Sequence, residues 1–507
     1  MSRTDVLRLT AFVALIAVYI AARIWGLTAT CLWFDEIFSV HAAEHSWNDI
    51  WRFVALDLIH PPLFYVLLKG WIAVCGESLW SLRSLPVLIS IVAIIPFLLL
   101  CKEFKFNRWK TIFAFLLIAS NGPLIKYSQE VRMYSLLMCI ALFSFWLFTR
   151  YIRTGKGIAA LAVINILLVY SHYFGWFVVA SECAGLLIFQ RSKWRAMFSL
   201  AGIPAFAFLP WLAAVMNAAS SGADVSQNIG WMNRPGIVDI FTLFLGLVEP
   251  FYFKAISIEQ ISFFYVSIPL LLIALTSIAI SLSNFRLSFG EDKKYLLPFL
   301  FLVPLLCAFC LSWILPNSIW GSRHLIVIFV PFAMLFASSV FESAKLKPIM
   351  VAGVIVLIIG AFAFQLGRRK ADAIWCGFEP LTRELESTRP VPVVVFEDLA
   401  AYHIWFALRN DPVETRPPVI KLTDFSGTNE DKAYFLPRGS DDVQVIESKA
   451  VLPDEVVAIY RTGKSDDHET PLPEFERRGY QLVDNQTIDF GYQRLKAARL
   501  KIGKPNL

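Results

Sequence analysis

The sequence predicts an all-α polytopic membrane protein of about 11 transmembrane helices, followed by a small C-terminal soluble α/β domain. Three observations predict it. Of the 507 residues, 57% are hydrophobic and only 17% are charged, too few charges for a soluble chain of this length. Several apolar runs reach the roughly 20 residues that a helix needs to cross a bilayer. At about residue 367 the composition changes, and short β-branched runs begin to alternate with polar and Pro/Gly breaks.

The spans fall at about 7–27, 81–101, 111–125, 133–150, 157–171, 174–190, 196–216, 260–283, 295–315, 324–341 and 348–366. Arg3 and Arg8 precede the first. Its apolar stretch from Leu9 to Leu27 is long for a signal-peptide core and lacks a cleavage site, so it reads as a retained span with a cytoplasmic N-terminus. The segment 62–76 is apolar but short and follows Pro61, so it reads as a re-entrant or interfacial helix. Charge tests that choice. With 62–76 not crossing, the basic stretches 102–110, 150–156, 191–195, 286–294 and 345–347 share the cytoplasmic side. A crossing there would send all five outside.

The net charge of +6 divides unevenly: residues 1–366 hold 26 Lys+Arg against 17 Asp+Glu, and the rest hold 20 against 23. The positive excess follows membrane topology and gives no support to nucleic-acid binding. Cys307 and Cys310 form a CxxC inside an apolar run without a second pair, which reads as packing. Cys31, Cys75 and Cys376 lie outside the spans, and a disulfide among them is left open.

The tail, 367–507, has apolar runs at 391–396 and 456–460, with helices expected over 380–388 and 400–409. It contains no glycine-rich phosphate loop, and 464–469 reads as a solvated loop. The outer loops are then 28–80, 126–132, 172–173, 217–259 and 316–323. Loop 217–259 holds only Arg234 and Lys254 as cations.

Polar residues crowd the helix ends on that side. Asp35 and Glu36 lie between Trp33-Phe34 and Ile37-Phe38, and charge at the edge of hydrocarbon is costly. Partial desolvation by these aromatics would raise the basicity of Asp35 and suit it to deprotonate a hydroxyl. A helix cap is the alternative. Glu36 either orients an acceptor or supports Asp35. His60 follows an amphipathic segment, 46–58, suited to lie in the interface, and either holds its loop or meets substrate. Gln129, Glu130, Arg132 and Tyr134 sit where a span re-enters the membrane, either capping and pairing or lining a pocket. His172 and Tyr173 occupy a two-residue loop. Arg323, beside His324 at the head of a span, offers a planar fork for phosphate oxygens; snorkelling to headgroups is the alternative. Glu182, mid-span, marks either a cavity or a protonated core group.

In order, the segments Trp33-Phe34-Asp35-Glu36, 60–71 (HPPLFYVLLKGW), 81–86 (SLRSLP), 127–136 (YSQEVRMYSL), 171–174 (SHYF) and 322–326 (SRHLI) resemble the GT-C superfamily of integral-membrane glycosyltransferases. The nearest groups are bacterial protein O-mannosyltransferases, aminoarabinose transferases and rhizobial galacturonosyltransferase-like enzymes. The resemblance covers about residues 1–366. It implies transfer of a sugar from a polyprenyl-phosphate donor to a lipid, glycan or protein hydroxyl on the external face of the inner membrane, typically with inversion. It implies Asp35 as base and Arg323 at the donor phosphate, with Arg132 beside it. His60, Gln129, Glu130, Tyr134, His172, Tyr173 and His324 would line the sugar or acceptor pocket. No cofactor or metal is required, because cationic donors can stabilise the leaving phosphate. The further DxD and WWD-type motifs of oligosaccharyltransferases are absent, which argues against whole-glycan transfer from a pyrophosphate. A flippase would place polar residues and broken helices at mid-membrane. A glycan ligase or polymerase would need more cationic outer loops.

Overall fold

The computed structural model describes residues 3–189, 194–222, 225, 229–230, 232–251, 264–283, 296–343, 345–366, 373–384, 390–425, 443–463, 470–490 and 493–503. The basic stretch 286–294, residues 191–193, Lys254 and the loop 464–469 lie outside them.

Helix α1 (Arg3–Ile24) is followed by three short helices, α2 (Phe34–Glu44), α3 (Ile50–Asp57) and α4 (Leu63–Cys75). The amphipathic segment is helical only from Ile50; before it, Ser46 and Asp49 close a side-chain turn (Oγ to Oδ2, 2.5 Å). Helix α4 has 13 residues, about 20 Å at 1.5 Å per residue, against the roughly 30 Å of a hydrocarbon core. Gly76, at φ 78°, ends it.

Helices α5 (Leu79–Val92) and α6 (Ile94–Glu103) continue as one 25-residue apolar span. Asn107 and Asn121 cap α7 (Arg108–Ser120) and α8 (Gly122–Ser128), their side chains accepting from Lys110 N and Leu124 N. Gly155 and Gly157, at φ 69° and 95°, turn α9 (Tyr134–Thr154) into α10 (Ile158–Ser171). At the other end of α10 the chain turns back into α11 (Gly175–Phe189). A Cβ on Gly175 would lie 2.6 Å from Leu168 O, so the turn needs glycine. Helix α12 (Trp194–Met197), a π-helical turn (Phe198–Gly202) and α13 (Ile203–Ser220) form a 27-residue span. Loop 217–259 holds an unanticipated helix, α14 (Ile237–Val248). Then come α15 (Phe264–Ser283), α16 (Leu296–Ile314), a 3-10 turn (His324–Ile328) leading into α17 (Phe329–Glu342), and α18 (Lys347–Leu366).

Each expected span coincides with helix. Among the described residues eight helices are long and apolar enough to cross a membrane. The chain is a multi-pass membrane protein. Helices α7, α10 and α11 are shorter, at 13, 14 and 15 residues, because Asn121-Gly122-Pro123 and the His172–Gly175 turn cut their runs. One face of the bundle gathers charged helix ends: Arg153 forms an ion pair with Glu103 (2.8 Å), Lys110 bonds Ser338 (3.2 Å), and Ser281 bonds Glu342 (2.7 Å). By helix direction, Asp35, Arg132, His172 and Arg323 lie at the opposite face.

The tail forms a six-stranded sheet of β1 (Val393–Val395), β2 (Val419–Thr423), β3 (Val443–Glu447), β4 (Glu455–Gly463), β5 (Tyr480–Asp489) and β6 (Gln493–Ile502). Its order is β3-β2-β1-β4-β6-β5. The first three contacts are parallel and the last two antiparallel. Alternation divides its faces. Val394, Ala458 and Tyr460 pack with Phe475 of α21 (Leu472–Arg477). Val393, Val395 and Ile459 join α19 (Phe378–Glu384) and α20 (Asp398–Leu408) in a core continuous with the membrane half. Both helices begin two residues before the expected positions. Cys31 and Cys376 form a disulfide, while Cys75, Cys307 and Cys310 are free.

Candidate active site

The site is built around the start of α2. Trp33 is the extended residue before the helix, and its N–H donates to Glu36 Oε2 (3.0 Å). Glu36 is fully buried and takes Arg83 on both oxygens (Nε to Oε1, 3.0 Å; Nη2 to Oε2, 2.9 Å), with Val131 N on Oε1 (3.1 Å). Arg83 also donates to the carbonyls of Leu27, Thr30 and Cys31, each at 2.8 Å. This fork satisfies a loop that has no helix or strand of its own. Of the roles expected for Glu36, orienting an acceptor or supporting Asp35, the first finds no free oxygen: its carboxylate holds the loop to α5, because a buried carboxylate needs a cation and backbone donors.

Asp35 points elsewhere. Its Oδ2 meets Arg323 Nη1 at 3.2 Å, the two side chains 23% and 24% exposed. Arg132, which is buried, donates through Nη1 to Asp35 O (3.2 Å), Ser39 Oγ (3.4 Å) and Tyr65 OH (3.3 Å). Its Nη2 meets His60 Nε2 at 3.1 Å, and His60 Nδ1 lies 2.6 Å from Asp57 Oδ2. A guanidinium only donates, so His60 Nε2 accepts and Nδ1–H donates to Asp57. Burial, then Arg132, holds His60 well below its ordinary pKa, in keeping with that neutral form. Burial pushes Asp57 up to about 7. Burial also works to raise Asp35, but Arg132 and Arg323, with His60 and a Trp33 hydrogen bond, outweigh it and leave the carboxyl below the usual range. The expected rise in the basicity of Asp35 is thus reversed by two guanidiniums.

Three rings complete the site. His172 lies 5.8 Å from His60 and 5.3 Å from His324, while Tyr134 lies 6.5 Å from His172 and 6.4 Å from His324 (ring centroids). His172 Nδ1 accepts from Phe174 N at 3.1 Å, so in its neutral form Nε2 carries the proton. Gly321 makes room for His324, since a Cβ there would lie 2.9 Å from its Nδ1. Among the described residues, Arg132 Nε, Tyr134 OH, His172 Nε2 and His324 Nδ1 are buried without a hydrogen-bond partner. Fifteen such atoms occur among the described residues, and these four belong to one cluster.

Seven expected site residues are thereby brought together: Asp35, His60, Arg132, Tyr134, His172, Arg323 and His324. Gln129 instead donates to Arg23 O (3.0 Å) and Trp25 O (2.9 Å), tying down the end of α1. Tyr173 donates to Leu58 O (3.1 Å) and accepts from Trp211 (3.2 Å), joining α3 to α13. Glu130 is buried, and its carbonyl accepts from Arg132 N (2.7 Å) in a tight turn. Asp57, Tyr65 and Arg83 were not anticipated. Arg83 carried a signal, a cation within an apolar span; so did Asp57, an acid three residues before His60. Glu182 accepts from Ser144 (2.5 Å) and Asn165 (2.7 Å), and Asn165 also donates to Leu200 O (3.3 Å). The acid is a polar tie between α9, α10 and α11.

No protein-family model matches the sequence, nor does any curated protein. Among solved structures, ArnT from Cupriavidus metallidurans in the apo state aligns with a TM-score of 0.61 at 12% identity, covering 96% of this chain and 97% of that one. The same protein bound to undecaprenyl phosphate aligns at 0.60 and 10%, covering 98% of each. An oligosaccharyltransferase from Archaeoglobus fulgidus, AglB, aligns at only 0.45 and 12%, and this chain spans 64% of its length. The chain has the GT-C fold seen in ArnT, as the ordered motifs led one to expect.

Proposed function

We propose that this protein is a glycosyltransferase that moves one sugar from a polyprenyl-phosphate donor to a hydroxyl acceptor, with inversion. Residues 1–366 form its catalytic domain and 367–507 its second domain. The observation that carries the reading is the Asp35–Arg323 pair at 3.2 Å, beside buried polar atoms that lack partners. The fold shared with ArnT supports it.

The sugar enters between Asp35 and Arg323, and Arg323 turns to the donor phosphate. Asp35 then loses one of the two guanidiniums that depress its pKa, so its proton affinity rises when the acceptor is present. Asp35 takes the acceptor hydroxyl proton as that oxygen attacks the anomeric carbon. The carbon–oxygen bond to phosphate breaks, and its electron pair leaves on polyprenyl phosphate, which Arg323 stabilises without a required metal. Arg132 holds the backbone of Asp35 and adds positive potential. Tyr134, His172 and His324 contact the sugar or acceptor, with His60 orienting Arg132.

The site would face the outside of the inner membrane. Basic loop residues gather at the opposite helix ends, and the Cys31–Cys376 disulfide suits an oxidising compartment. The test is release of polyprenyl phosphate and appearance of a glycosylated acceptor when purified protein meets polyprenyl-phosphate sugars. Turnover by wild type that falls at least about 100-fold in Asp35→Asn supports the reading; equal turnover removes it.

A further inference from the structure

The tail reaches the site through contacts that bracket Asp35. Cys376 is bonded to Cys31, four residues before it, and Cys31 N donates to Cys376 Sγ (3.1 Å). The Trp375 ring lies 5.3 Å from that of Trp33. Tyr402 packs edge-on to Phe34 (5.2 Å) and bonds His41 Nδ1 (2.9 Å). Arg409 closes the far end of α2 by pairing with Glu44 (2.8 Å), and with Glu77 before α5. Asp35 lies in the first turn of α2, and the stretch that leads into it from α1 has no regular structure of its own. From the bundle side it is held by Arg83, and from the tail side by Cys376 and Trp375.

We propose that the C-terminal domain is a positioning element of the active site: Cys376 and Trp375 hold residues 31–34 and thereby set the Asp35 carboxylate. This rests on the reading of Asp35 as the base. Neither residue touches substrate. Misplacing a reacting group by about 1 Å can cost about 100-fold in rate, so a loosened clamp acts on kcat while donor contacts at Arg323 stay. The clamp is also redox-sensitive. Two electrons and two protons from an added dithiol convert the bond to two thiols, and the dithiol becomes its own disulfide.

The test uses the full chain in detergent or liposomes in five forms: oxidised wild type, dithiol-reduced wild type, the double variant Cys31→Ser/Cys376→Ser, Trp375→Ala and Trp375→Phe. Amide hydrogen exchange is followed over residues 33–44 and 134–154, together with steady-state transfer. The expected result is faster exchange over 33–44 alone in the reduced, double-serine and alanine forms. Their kcat falls by about 10- to 100-fold with donor KM unchanged, and Trp375→Phe retains both protection and rate. Unchanged protection of 33–44, loosening throughout the chain, or loosening with unchanged kcat overturns the clamp. If no form transfers sugar, oxidised wild type included, the reading of Asp35 falls, while exchange over 33–44 still decides whether the tail holds this segment.

Discussion

Asp35 and Arg323 face each other at 3.2 Å, and each should fail differently when changed. Asp35→Asn removes the proton acceptor and keeps the shape, so transfer falls by about 100- to 10,000-fold with the thermal unfolding profile unchanged. Arg323→Ala removes a charge-assisted bond worth about 1.5–3 kcal/mol, so titration should show donor affinity about 10- to 100-fold weaker. Asp57 gives a pH signature. Below its pKa of about 7 it is protonated and donates to His60 Nδ1, which puts a proton on Nε2 facing Arg132. Above it, the carboxylate accepts from Nδ1–H and the contact to Arg132 is restored. Activity should therefore rise with pH through about 7, and a pH–rate profile of Asp57→Asn should lack that limb. Tyr65, Asp35 and Arg132 also face Asp57 electrostatically, and Arg132 limits its upward shift.

At the scale of elements, the loop before α2 is held on its bundle side by one buried ion pair. Removing one partner of such a pair typically costs about 3–5 kcal/mol. Arg83→Ala should lower the unfolding temperature far more than Arg323→Ala, whose side chain is partly exposed. Gly175→Ala should do likewise, by driving a methyl group into Leu168 O. The helices were legible because apolar runs and their Asn, Gly and Pro breaks are local features of the sequence. Asp35, Arg132 and Arg323 were legible as charges at helix ends. The division of labour between Asp35 and Glu36 was not, because it depends on Arg83, 47 residues along the chain from Glu36. The structural ties of Gln129 and Tyr173 were hidden for a related reason. A polar side chain at a helix end looks alike whether it meets substrate or, as here, the carbonyls of Trp25 and Leu58.

For the whole molecule, the proposed topology has the site and the tail on the outer side of the membrane and the basic loop residues on the inner side. A single cysteine at position 35 should react with an impermeant thiol reagent in intact cells, and one at Lys105 only after permeabilisation; the reverse pattern would invert the topology. The tail's sheet order and its disulfide to Cys31 could not be deduced from spacing, since both join segments far apart in the chain. The central claim is transfer of one sugar by Asp35. Mass spectrometry of envelope glycans and glycolipids tests it most directly, in cells lacking the protein and complemented with wild type or Asp35→Asn. Wild type should restore a species heavier by one sugar residue, and Asp35→Asn, present at equal abundance, should not. The same species restored by Asp35→Asn, or no mass difference between cells with and without the protein, would contradict the account.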